Sequence, residues 1–186
     1  QNTTCAGQNN TITASGASGY TWTALSTSNA SVIVSPLMTT IYTVVASNTL
    51  GCSKNFTVQL NVVPVPTISF LGGSVCLGNS FTFSPTGATS YTFLNGGPIV
   101  TPASTAMYTV AGSGTNNCVS YASAGVTVNP LPVLSVNSGT LCAGQTFTLV
   151  PNNAVSYVFP VGGPQVSPAN TSTYSIIGTD VNGCVG

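Results

Sequence analysis

"SYTFLNGGPIVTP", residues 90–102, returns as "SYVFPVGGPQVSP", residues 156–168, with Tyr, Phe, Gly-Gly-Pro and the final Pro in place. Alignment on cysteine reveals a third copy. "CAGQNNTITASGASGYTW" starts at Cys5, "CLGNSFTFSPTGATSYTF" at Cys76 and "CAGQTFTLVPNNAVSYVF" at Cys142. In each copy a tyrosine follows 15 residues later (Tyr20, Tyr91, Tyr157), then an aromatic two positions on (Trp22, Phe93, Phe159). A Ser/Thr-Pro pair ends at Pro36, Pro102 and Pro168; Tyr42, Tyr108 and Tyr174 follow, and Cys52, Cys118 and Cys184 close the pattern. Fixed offsets with divergent residues between them are the signature of an internal repeat. The period is 71 residues from Cys5 to Cys76 and 66 from Cys76 to Cys142, and the surplus falls between Trp22 and Pro36, as expected of a surface loop.

Within each copy the pattern is that of short strands. "FTFSP", "SYTFL", "AMYTVAG" and "AGVTVNP" alternate apolar residues with Thr or Ser, which places alternate side chains on opposite faces of a half-buried strand. Gly, Asn and Pro clusters punctuate these runs as they do in β-sandwiches. The expected fold class is all-β: three tandem Ig-like β-sandwich modules in a semi-rigid row. The expected boundaries are residues 1–66 (first strand missing), 67–132 (complete) and 133–186 (last strand missing). The equivalent segments "VVPVPT" (62–67) and "NPLPVL" (129–134) put P-x-P where one module hands over to the next, and proline stiffens such a connection.

Composition narrows the functional classes. Lys54 and Asp180 are the sole charged side chains in 186 residues, and histidine is absent. Nucleic-acid binding needs a basic footprint to neutralise phosphate, which one lysine cannot supply. No apolar run approaches the roughly 18–20 residues that span a bilayer, so membrane insertion is not expected. At 42% hydrophobic residues the chain is nonetheless far too apolar to read as disordered. A near-zero net charge removes repulsion between copies and permits self-association into fibres.

Chemistry has little to work with. A nucleophilic triad needs a base beside Ser or Cys, and glycosidic hydrolysis needs a carboxylate pair. Neither can be assembled, so no catalytic residue, no metal site and no cofactor are expected, and the chain reads as a non-enzyme. The two tyrosine sets could form a sugar-binding ladder for surface glycans, or could be core and hydrogen-bonded corners. Lys54 and Asp180 read most simply as solvated loop charges. Sequons at Asn2, Asn9, Asn29, Asn55 and Asn170 are candidate glycan sites on a surface with almost no charge.

Six cysteines, two per copy, lack the paired spacing of zinc sites. They allow fifteen disulfide pairings, with free buried cysteines as the alternative. The repeat favours one set, each bond within its own copy: Cys5–Cys52, Cys76–Cys118 and Cys142–Cys184. Disulfides imply an oxidising compartment, hence an extracellular or cell-surface location.

The Cys-x-Gly start, the Tyr-x-aromatic pair, the Ser/Thr-Pro-x5-Tyr spacing, the Gly/Asn-Cys element and the Asn-Pro-x-Pro linker together resemble a known family. They are similar to the tandem Ig-like/PKD-like repeats of large secreted surface adhesins of gliding bacteria, proteins commonly exported by the type IX secretion route. The resemblance covers all three copies. It implies extracellular filaments, cell-surface adhesion and gliding motility; the alternative is a carbohydrate- or protein-binding module set that uses surface loops such as 23–35. The chain starts and stops inside copies of the repeat. Two expectations compete here: a piece of a longer repeat protein, or an open sheet edge that accepts a strand from another chain.

Overall fold

A computed structural model describes residues 2–186, excluding the side chain of Asn2, and the described residues contain strands and no helix. The all-β expectation holds. The first repeat contributes β1 (Asn2–Cys5), β2 (Asn10–Thr13), β3 (Gly19–Trp22), β4 (Ser31–Val34), β5 (Thr40–Ser47) and β6 (Ser53–Val63). The second contributes β7 (Gly73–Cys76), β8 (Phe81–Thr82), β9 (Ser90–Phe93), β10 (Ile99–Val100), β11 (Ala106–Ser113) and β12 (Val119–Asn129) at equivalent positions. The third contributes β13 (Ser135–Val136), β14 (Phe147–Thr148), β15 (Pro151–Asn152), β16 (Ser156–Val158), β17 (Gln165–Val166) and β18 (Ile177–Thr179).

Sheet topology repeats with the sequence. The first repeat forms a four-stranded sheet in the order β1-β6-β5-β3 and a two-stranded sheet β2-β4, and the second gives β7-β12-β11-β9 and β10-β8. In the third, β14 pairs with β17 and β16 with β18, in the registers that β2–β4 and β3–β5 use earlier. The long hairpin β5–β6 is antiparallel from Thr40↔Leu60 to Ser47↔Ser53. By contrast β1 runs parallel to the far end of β6, with Cys5 opposite Val63, and β7 runs parallel to β12, with Cys76 opposite Asn129.

Contacts group the chain into two compact units. Unit 1 is the chain up to Ser69 together with Pro85–Thr92 and Val110–Ala122; unit 2 is Phe70–Ser84, Phe93–Thr109 and Ser123–Gly186. The boundaries after residues 66 and 132 are periods of the sequence, whereas the compact grouping draws segments of the second repeat into both units.

The core of unit 1 shows why alternation makes a sandwich. Val32 and Val34 of β4 point inward while Ser31 and Ile33 point out. They pack with Trp22 of β3, Tyr42 and Val44 of β5 and Leu60 of β6, and Ile12, Ala14, Tyr20 and Val58 close the edges. Side chains from both sheets therefore interdigitate in a single layer. Unit 2 uses aromatics for the same purpose. Phe83 lies 4.7 Å from Phe70, 4.9 Å from Phe81 and 5.2 Å from Tyr108 between ring centroids, in the tilted and edge arrangements that aromatic quadrupoles favour.

The P-x-P handover at 64–66 is pinned within unit 1. The Ser120 hydroxyl donates to the Pro66 carbonyl, and Ile68 lies over Gly112, where a Cβ would come within 2.6 Å of its Cδ1. The absent side chain at Gly112 thus makes room for the linker, and Gly178 makes the same room for Leu134 in unit 2.

Candidate functional site

The residues that flank the cysteines form turns at matching places in the three repeats. After each first cysteine the chain reverses, with the N–H of Gln8, Asn79 and Gln145 donating to the carbonyl of Cys5, Cys76 and Cys142. The third residue of that turn is Gly7, Gly78 or Gly144 at φ +76°, +88° and +79°, the left-handed conformation of a type II turn that glycine adopts without strain. Before each second cysteine stands Gly51, Asn117 or Gly183, again at positive φ. There Asn48, Gly114 and Asp180 accept a turn bond from Gly51, Asn117 and Gly183, and donate to Cys52, Cys118 and Cys184.

Asp180 is a turn residue rather than a free surface charge. Its Oδ1 accepts from Asn182 N and Cys184 N, both at 2.8 Å, as Asn48 Oδ1 accepts from Leu50 N and Cys52 N at 3.0 Å. One residue type thus substitutes for the other, because both offer an acceptor at the same reach. Asp180→Asn is expected to leave unit 2 within a few tenths of a kcal/mol of wild type, while Asp180→Ala loses about 1–2 kcal/mol. Urea unfolding of the two variants checks this; equal losses would refute the turn role. Lys54 lies on strand β6 rather than in a loop, with Nζ 5.4 Å from the centroid of the Phe56 ring.

The tyrosines are committed internally. The hydroxyls of Tyr20, Tyr91 and Tyr157 each accept from the backbone N–H and donate to the carbonyl of an alanine three residues back: Ala17, Ala88 and Ala154. All three rings are half-buried, as are Tyr108 and Tyr174, and Tyr42 is buried. Corner bonds account for Tyr20, Tyr91 and Tyr157, and packing for Tyr42 and Tyr108, while Tyr174 lines the groove described below. The sequons at Asn9, Asn29, Asn55 and Asn170 are exposed, and the side chain of Asn2 lies outside the described residues.

The disulfides overturn the within-copy pairing. Cys5 bonds Cys118 and Cys76 bonds Cys184, while Cys52 and Cys142 are exposed and unpaired among the described residues. The reason is strand geometry. Cys5 stands opposite Val63 at one end of β6, and Cys52 precedes Ser53 at the other. At roughly 3.3 Å per residue the intervening strand separates these ends by about 36 Å, whereas a disulfide needs Cα atoms within about 7 Å. Cys76, opposite Asn129, and Cys118, before Val119, are parted in the same way along β12. The first and second repeats therefore carry their two cysteines at opposite poles. The bond each first cysteine makes is to the second cysteine of the following repeat, with Cα–Cα distances of 5.6 and 5.4 Å.

Beside Cys142 a groove of about 400 Å³ opens in unit 2. One wall is Val136–Leu141 with Ala143; the other runs through Pro168–Tyr174. In the second repeat the equivalent stretch, Gly73–Cys76, is covered by β12, and Thr105 Oγ1 accepts from Val128 N of that covering strand. Thr39 Oγ1 accepts from Val62 N in the first repeat, and Thr171, at the equivalent place in the third, lines the groove.

No cluster of three or more His, Cys, Asp or Glu that could hold a metal occurs among the described residues. No helix among them is long and apolar enough to cross a membrane.

No family model matches this chain, and no curated protein does. Among solved structures it is similar to immunoglobulin domains 1–4 of Sidekick-1, at 12% identity and a TM-score of 0.30, covering 100% of this chain and 71% of that one. It is also similar to cadherin domains 3–6 of protocadherin gamma B2, at 12% identity and 0.31, covering 95% and 64%. A third is SGBP-B of the Bacteroides ovatus mixed-linkage glucan utilization locus, solved with a mixed-linkage heptasaccharide, at 12% identity and 0.26, covering 98% and 61%. At these scores the likenesses add nothing to what strand pairing and core packing show.

Proposed function

We propose that this chain is a non-enzymatic structural segment of an extracellular filament or large surface adhesin, built to hold successive repeats together under load. The observation that supports this reading is the disulfide register. A bond from the first cysteine of one repeat to the second of the next runs parallel to the proline linker, so the handover is held covalently at two places. The composition supports the non-enzymatic part of the reading: with no histidine, one lysine and one carboxylate, the chain has few of the side chains that general acid–base catalysis uses most. The bonds also require an oxidising compartment, which fits secretion and surface display. The resemblance to the repeats of gliding-bacterium adhesins extends the reading to cell-surface attachment, gliding motility and export by the type IX route.

Negative-stain microscopy of native material tests this, together with intact mass measured without reductant. Long fibres with a periodicity matching the repeats are the expected result. Short particles that never associate would overturn the filament reading, and their capture on a glycan surface would favour a binding-module set instead. Mass in excess of the polypeptide would place glycans on the exposed sequons.

A further inference from the structure

We infer that the chain between Cys5 and Cys184 is a three-route covalent tether. Its ends stay joined after any single backbone break, and its stretched length is capped by the segment from Cys76 to Cys118. This deepens the filament reading and rests on it.

The overlap of the two bonds along the chain carries the inference. Cys5–Cys118 and Cys76–Cys184 are interleaved: Cys76 lies inside the first loop and Cys118 inside the second. Cys5 with Cys118 makes one junction, and Cys76 with Cys184 makes the other. Three stretches of backbone run between these same two junctions: Cys5 to Cys76, Cys76 to Cys118 and Cys118 to Cys184. Their lengths are 71, 42 and 66 residues. Any bonds that Cys52 and Cys142 make add connections and remove none of these three. Bonds within each copy would behave otherwise, leaving the backbone after Cys52 and after Cys118 as the sole link to the next repeat.

Once the units open under load, the shortest route draws taut first. From Cys76 to Cys118 the chain reaches about 140–150 Å when fully extended. Without the bonds, the chain from position 5 to position 184 would reach about 590–640 Å. The P-x-P linkers at 64–66 and 130–132 lie on the two longer routes and go slack. The two charged residues lie there too, Lys54 on the first route and Asp180 on the third. A protease that selects charged side chains therefore finds no site on the taut route.

That placement supplies the test, which uses the full chain with its unpaired thiols alkylated. A lysine-specific protease cuts only after Lys54, and concentrated urea opens that site while leaving disulfides intact. Without reductant the expected product is one species, with the mass of the alkylated chain plus one water. Reductant should part it into residues 1–54 and 55–186. A second cut before Asp180, by an aspartate-specific protease, should add another water and release nothing. Cys5→Ser with Cys118→Ser should free residues 1–54 without reductant. Release of 1–54 from the unreduced wild type would overturn the inference, since that is what within-copy bonds predict.

Optical tweezers, with handles on the two ends of the chain in the same urea, read the cap. The unreduced molecule should stop at roughly one quarter of the reduced length, both before and after the Lys54 cut. Parting at the cut, or extension to the reduced length, would equally sink the idea. Native fibres whose chains release 1–54 would remove the tether and leave the filament reading standing, whereas an intact tether in particles that never associate would do the reverse.

Discussion

Replacing Cys5 and Cys118 together by serine is expected to lower the stability of unit 1 by about 4–5 kcal/mol, the chain-entropy value for a closed loop of this size. The two residues are 113 apart in sequence, so their bond removes far more freedom from the unfolded chain than a within-repeat bond would. Cys118 is 1% exposed, so its serine hydroxyl would also enter a buried site. Whole domains rarely exceed about 5–15 kcal/mol of stability, so the variant should unfold at markedly lower urea. The contrast is the pair Cys52→Ser with Cys142→Ser. Both thiols are exposed and unbonded, and the midpoint should move by less than about 0.5 kcal/mol. Equal losses for the two pairs would refute the register described here, and a peptic digest of the oxidised wild type would show which cysteines are linked.

Trp22→Ala is expected to cost about 3–5 kcal/mol in unit 1. Trp22 is 2% exposed and packs in the cluster of Val32, Val34, Tyr42, Val44 and Leu60, so truncation to alanine leaves a large cavity in the core. Its indole N–H donates to the Asn29 carbonyl at 3.0 Å and so also ties the 23–30 loop, which ends where β4 begins, to the sheet. Trp22→Phe should recover most of the loss. The second and third repeats place Phe93 and Phe159 at this position, and Asn29 lies at the surface, where water can satisfy its carbonyl. Urea unfolding followed by circular dichroism separates the two variants. A loss below about 1 kcal/mol for Trp22→Ala would mean that the sandwich core lies elsewhere.

Both effects come from features that were unequally legible. Trp22 follows Tyr20 at the two-residue spacing of a strand, and its matched aromatics Phe93 and Phe159 mark it as a core position. The segment "SVIV", by contrast, lies in the stretch 23–35 that the sequence offers as a surface loop, and only the structure shows it as strand β4 with Val32 and Val34 inward. The tyrosine corners were open between ligand contact and packing. What decided them was the position of an alanine backbone three residues earlier, reached only because Gly16, Gly87 and Asn153 bend the chain at positive φ. Asp180 reads from composition as a solvated charge, yet its place four residues before Cys184 matches Asn48 before Cys52, and both side chains accept turn N–H groups. That match was the signal that could have revealed the turn.

Sequence by itself determined that this protein is a threefold repeat of β-strands, where its turns fall, and which faces of its strands are buried. These are local matters: period-2 alternation needs only neighbouring residues, and a left-handed turn position needs glycine or asparagine at that position. Which cysteines meet was decided only by tertiary structure. The repeat pairs cysteines by their distance along the chain, but bonding depends on which pole of β6 or β12 each one occupies. That was set by the parallel docking of β1 and β7 against the far ends of those strands. A strand eleven residues long carries the two cysteines of the first copy, and those of the second, out of each other's reach, and the bonds that form run from Cys5 and Cys76 to the adjoining repeat.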